Sequence, residues 1–317
     1  MTPASPTPGR PLPTLLLALS AWTLLPACNG SPGDGAQPML PAGDGAATPE
    51  RTTAPAAPDE DAWAEHVRRL EERLPHEGFH VVVEKPFVVI GDEDRATVER
   101  RAERTVRWAC RLLEKDFFAR RPAEILDVWL FKDKRSYEEH ARALFGSRPT
   151  TPYGWYSPRH KALIMNISTG GGTLVHEIVH PYVAADFPAC PAWFNEGLGS
   201  LFEQCNEKDG HITGLVNWRL TGLRAAIEGK RTRPFAELLA TSRDGFYGAG
   251  SGLHYAQARY LLLWLQEEGK LRDYYRGFRA AAADDPTGAK TLLKLLGRDD
   301  FEAFQAEWEA WVLTLRR

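Results

Sequence analysis

Cysteine is scarce in this chain: four residues in 317, and only Cys110, Cys190 and Cys205 lie beyond the first hundred positions. Three is an odd number, so a disulfide framework is excluded as the source of stability. Cys190 and Cys205 bracket a helix-like run whose ends lie roughly 20 Å apart at 1.5 Å per residue, too far for a bridge. All three read as mostly buried thiols. Excess charge is also missing. Lys and Arg number 39 against 42 Asp and Glu and are spread along the chain, which argues against a nucleic-acid footprint. There are no internal repeats. The apolar stretch 12–25 is too short and too Pro-interrupted to span a bilayer. What remains is 43% hydrophobic residues, ample for a packed core.

The chemistry concentrates at residues 176–180, His-Glu-Ile-Val-His. On a helix, His176 and His180 leave the same face one turn apart and can grip one metal ion. Glu177 beside them is placed to take a proton from a water. Sixteen positions after His180 comes Glu196, within Trp193-Phe194-Asn195-Glu196-Gly197-Leu198-Gly199-Ser200. It supplies a third ligand and leaves a fourth position open, the arrangement of a catalytic zinc (Zn2+) rather than a structural one. Alone, the first motif is equally a chance pattern on an amphipathic helix; the second cluster tips the reading to zinc.

The N-terminus reads as a targeting segment, 1–27, with Arg10 ahead of the apolar stretch. Leu25-Pro26-Ala27-Cys28 resembles a bacterial lipobox, which makes Cys28 the lipidated residue; an ordinary secretory signal is the alternative. The tract 28–60, rich in Gly, Pro, Ala, Ser and Thr, reads as a disordered tether holding a soluble domain, 61–317, off a membrane of the cell envelope.

Periodicity places helices at 61–74, 94–120 and up to 145, strands at 79–84, 87–90, 125–131 and 161–167, and a nearly all-helical pattern beyond 190. Thr173 is the expected N-cap of the histidine-bearing helix. Pro181 is expected to disturb that helix at the carbonyl of Glu177. The fold class is α+β, with a mixed sheet and helices first and a mainly helical C-terminal half.

Residues 193–203 resemble the WxNEGxAxxxE segment of gluzincin metallopeptidases, and the resemblance covers about 150–270, closest to small bacterial peptidase-MA-like domains. It implies a zincin-like fold, His176, His180 and Glu196 as zinc ligands, Glu177 as general base and proton shuttle, and a peptide or protein substrate. Related enzymes place a tyrosine donor for the developing oxyanion near the position of Tyr255, with His254 as its rival and a core role as the alternative. The family commonly pairs substrate with the strand before the histidine helix, here 161–167, though an ordinary interior strand reads equally well. That strand carries no acid to hold a free substrate amine, which argues against an aminopeptidase. Tyr153, Trp155 and Tyr156 read as core more readily than cleft. Asn195, Ser200, Glu203 and Asp186 are candidate partners for the imidazoles. The other class of reading is a catalytically inactive zincin-like lipoprotein that binds a peptide or an envelope component.

Overall fold

The computed structural model describes residues 58–316 apart from Ser147. The expectations for the signal, for Cys28 and for nearly all of the tether therefore lie outside the described residues. The first described element is α1 (Glu60–Glu71), capped by the side chain of Asp59, which accepts from the amide of Ala62. A hairpin follows, β1 (His80–Glu84) and β2 (Phe87–Gly91). The expected helix 94–120 is three segments: α2 (Arg95–Arg101), a π-helical stretch Ala102–Arg107, and α3 (Trp108–Asp116). Then come β3 (Leu126–Phe131), α4 (Lys134–Phe145), β4 (Gly154–Ser157) and β5 (Ala162–Asn166).

These strands form one mixed sheet in the order β1-β2-β3-β5-β4, with β2, β3 and β5 parallel and both edges antiparallel. The alternation of the strands explains the two-faced packing. Val88, Ile90, Trp129, Phe131 and Ile164 face α1 and α4, whereas Val89, Val128, Leu130, Leu163 and Met165 join the core shared with the helical half. Burial on both sides is why β2, β3 and β5 read as continuous apolar runs.

The strand 161–167 lies inside the sheet, hydrogen-bonded to β3 and β4. The open edge belongs to β4, drawn from the aromatic segment that reads as core in sequence.

The histidine helix α5 runs Gly171–Asp186. It starts at Gly171, so Thr173 lies inside it and caps nothing. The helix continues through the buried Pro181, which removes one backbone donor opposite the carbonyl of Glu177, and the imidazoles of His176 and His180 stay adjacent with ring centroids 4.8 Å apart. Apolar contacts of Leu174, Val175, Ile178, Val179, Tyr182 and Val183 hold the helix on either side of the lost hydrogen bond.

α6 (Ala192–Phe202) packs on α5. Beyond it the sequence reading of helix alone misses a hairpin, β6 (Cys205–Lys208) and β7 (His211–Gly214). Its two turn residues Asp209 and Gly210 both have positive φ, 53° and 73°, the twist-matched turn for which Asp-Gly is a strong signal. α7 (Arg219–Glu228), α8 (Phe235–Leu239), α9 (Arg243–Tyr247), α10 (Ser251–Glu267), α11 (Leu271–Ala281), α12 (Ala289–Leu296) and α13 (Glu302–Thr314) complete the helical half. The protein is thus α+β, as the element order implies. Among the described residues no helix is long and apolar enough to cross a membrane.

A candidate metal centre between two helices

α5 and α6 bring His176, His180 and Glu196 together, one donor atom from each lying within 4.8 Å of the others. The Nε2 atom of His176 is 3.2 Å from Oε2 of Glu196 and that of His180 is 3.9 Å from the same oxygen. Both imidazoles therefore turn Nε2 toward one point.

Their Nδ1 atoms face away, one into a hydrogen bond and the other into an ion-pair contact that lacks hydrogen-bond alignment. That of His180 is 3.1 Å from Oδ1 of Asn195. That of His176 is 3.2 Å from Oε1 of Glu203, somewhat off the ideal hydrogen-bond line. Glu203 is in turn gripped by Arg219, which donates from Nη2 to Oε1 at 2.8 Å and from Nε to Oε2 at 3.1 Å. Of the four partner candidates named from sequence, Asn195 and Glu203 are thus in place. Ser200 is buried, and its carbonyl accepts from Arg259. Asp186 lies elsewhere, bound by Tyr275 and Arg279.

Glutamates dominate the electrostatics. Burial disfavours charge on His176, but Glu196, Glu203 and Glu177 outweigh it and hold its pKa up at about 10. Burial opposes ionisation of Glu196, yet His180, His176 and Tyr247 keep it down at about 2. Glu203 is also held down at about 2, with His176 and Arg219 overcoming its burial. Three carboxylates thus converge on two imidazoles and one guanidinium. That surplus of negative charge, and Nε2 donors already aimed at one carboxylate oxygen, fit a divalent cation.

Glu177 sits on the same turn, its Oε2 3.9 Å from Nε2 of His180 and accepting the amide of Tyr156 at 3.0 Å. In the β4–β5 ladder the amide of Asn166 donates to the carbonyl of Tyr153. By alternation Trp155 also bonds inward, and Tyr156 turns its amide and carbonyl to the open edge. The edge strand therefore borders Glu177. Tyr153, half exposed, precedes it.

Tyr255 belongs to this site. Its ring centroid is 6.4 Å from that of Tyr247, and the guanidinium of Arg219 lies over it at 5.2 Å; burial raises its pKa, and Glu196 and Tyr247 add to the shift. A residue that sequence reasoning missed is closer: Tyr247, at the end of α9, donates from its hydroxyl to Oε1 of Glu196 at 2.5 Å. No local spacing marks it, since α9 reaches the site only through tertiary packing; the glycine-rich segment after it is the one sequence cue. His254, the rival of Tyr255, is buried and donates from Nδ1 to the carbonyl of Phe246, so that nitrogen is spent on holding α9. Cys110, Cys190 and Cys205 are unpaired, and burial raises the pKa of each.

A buried set of two imidazoles and a carboxylate, able to hold a metal ion, is thus in place. No protein-family model and no curated protein matches this chain, so the site's meaning rests on its chemistry.

Proposed function

We propose that this protein is a zinc metallopeptidase of gluzincin type that hydrolyses peptide bonds. The observation that carries the reading is the convergence of His176, His180 and Glu196, with both Nδ1 atoms engaged from behind and Glu177 one step along the same helix. Zinc bound there would supply Lewis acidity toward a carbonyl and toward water. The remaining work falls to side chains. Glu177 accepts the proton of the attacking water and returns it to the departing nitrogen. Asn195 and Glu203 fix the tautomer and tilt of the imidazoles. Tyr255 donates to the oxygen that gains charge in the transition state. β4, rather than the interior β5, offers an edge to an extended substrate through the outward carbonyl of Tyr156, whose amide is held by Glu177.

The envelope location belongs to the same proposal and rests on Arg10, the apolar stretch 12–25 and Cys28. Lipid at Cys28 would tether the catalytic domain to a membrane.

Incubation of the zinc-reconstituted protein with an unbiased peptide library tests the activity. Cleavage by wild type and none by Glu177→Gln at equal zinc content is the expected result. Equal turnover by the two proteins would overturn the role of Glu177. Zinc uptake without any cleavage would replace the peptidase with a peptide-binding relative.

A further inference from the structure

One cation beside the site has no use in the chemistry above. Arg243, the first residue of α9, is exposed, and among the described residues it makes no salt bridge or hydrogen bond. Its guanidinium instead lies over the ring of Tyr247, 5.3 Å from the centroid, and the hydroxyl of that ring bonds Glu196. The guanidinium therefore stands about one aromatic ring from a metal ligand, on the solvent side. Arg219, the other guanidinium at the site, is consumed by Glu203. The charges of Glu177, Glu196 and Glu203 are cancelled by Arg219 and a divalent ion, so Arg243 is left as a surplus positive charge at the rim.

We infer that Arg243 selects substrates that carry a carboxylate close to the bond being cut. An extended chain advances about 3.3 Å per residue. The charge would thus fall within two or three residues of the scissile bond. An acidic side chain and a C-terminal carboxylate offer the same planar anion, which a guanidinium meets with paired N–H donors. Stacking on Tyr247 holds the fork in orientation at little entropic cost. The inference rests on the peptidase reading, which supplies the substrate.

The test uses random hexapeptide pools with one position fixed as Glu or Gln, each made as the C-terminal acid and as the amide. Two readouts are taken at low salt: kcat/KM with zinc-loaded wild type, and equilibrium binding to zinc-loaded Glu177→Gln. The Glu-over-Gln ratio reports a side-chain carboxylate, and the acid-over-amide ratio a C-terminal one. We expect one ratio to be about tenfold, the size of a single charge-assisted hydrogen bond. It should collapse to about one in Arg243→Ala, invert in Arg243→Glu, and shrink in 0.5 M salt. Ratios that are the same in wild type and Arg243→Ala overturn the inference, even where cleavage proceeds. A preference in binding without cleavage of any pool removes the peptidase reading and leaves the carboxylate site standing.

Discussion

Glu203 is not among the three residues that would hold the metal, yet its replacement by Gln should cost metal affinity. In the wild type its Oε1 faces Nδ1 of His176 at 3.2 Å, and Arg219 holds it there with two hydrogen bonds. A carboxylate behind an imidazole raises the basicity of the ring and sets its tautomer, and loss of such a partner typically weakens binding about 10–100-fold. At free zinc a thousandfold above Kd, binding adds about 4 kcal/mol to stability. For a domain of this size that lifts Tm by roughly 8–16 °C. At the same free zinc, Glu203→Gln retains only about 1.4–2.7 kcal/mol of that, so its zinc-induced rise shrinks to roughly 3–11 °C. Differential scanning calorimetry with and without zinc, beside a chelator competition for Kd, measures both quantities. Comparison of each protein with its own metal-free form separates ligand positioning from any general loss of stability. An unchanged Kd and an unchanged zinc-induced rise would refute the claim that Glu203 orients His176.

The two tyrosines should separate by phenotype. Tyr247→Phe removes the hydrogen bond to Glu196 and should weaken zinc binding, whereas Tyr255→Phe should lower kcat by about 10²–10³ at unchanged zinc content; identical profiles for the pair would cancel the division of labour. Gly199→Ala should fold but bind zinc more weakly, because its Cβ would stand 3.0 Å from Nε2 of His176; full zinc affinity in that variant would mean that the ring yields. Burial lifts the Cys110 thiol to about 12 from an ordinary value near 9, so at pH 8 it should alkylate far more slowly in the native than in the denatured protein. The native state then binds the extra proton between pH 9 and 12, and the stability linked to it is lost as pH rises through that window; native-rate labelling equal to that of an exposed thiol at pH 8 would contradict the burial.

How much could be read from the chain follows from how local each determinant is. His176 and His180 are set by helical period alone, and Glu196 by a helix start after Pro191, so this group, able to hold a metal ion, was visible in the sequence. The strands β2, β3 and β5 announced themselves through burial on both faces. β4 did not, because four residues in an aromatic segment look like a loop; of the two places the sequence allows for 161–167, substrate-pairing strand or interior strand, the sheet gives it the interior one. The β6–β7 hairpin carried a legible Asp-Gly turn that a helical neighbourhood obscured. Tyr247, Arg219 and Arg243 were illegible for a different reason. Their places depend on how α9 packs on α6 and α7 on α10, and nothing in their own sequence neighbourhoods encodes that.

The glycines around Glu196 show how strictly that folding back is specified. A carboxylate from α6 can meet two imidazoles of α5 only if the helices approach closely, and each small residue answers to a different surface. A Cβ on Gly197 would come within 3.2 Å of Ala258 and Leu262, so its absence lets α10 lie close along α6. Gly199 leaves room for the ring of His176 on the opposite side. Gly172, at the start of α5, would drive a Cβ to 1.9 Å from the carbonyl oxygen of Glu203, which no side-chain movement relieves. From α10, the buried Arg259 donates to the carbonyls of Ser200 and Leu201, at the end of α6, and of Leu215 beyond the hairpin. That bond set fixes the end of the helix whose middle carries the third ligand. The residue that follows the capped end is Glu203, and the carboxylate that orients His176 is therefore positioned by the same contacts that position Glu196. Ligand and supporting carboxylate thus move as one body, and a change that shifts α6 as a whole should disturb both together rather than either alone.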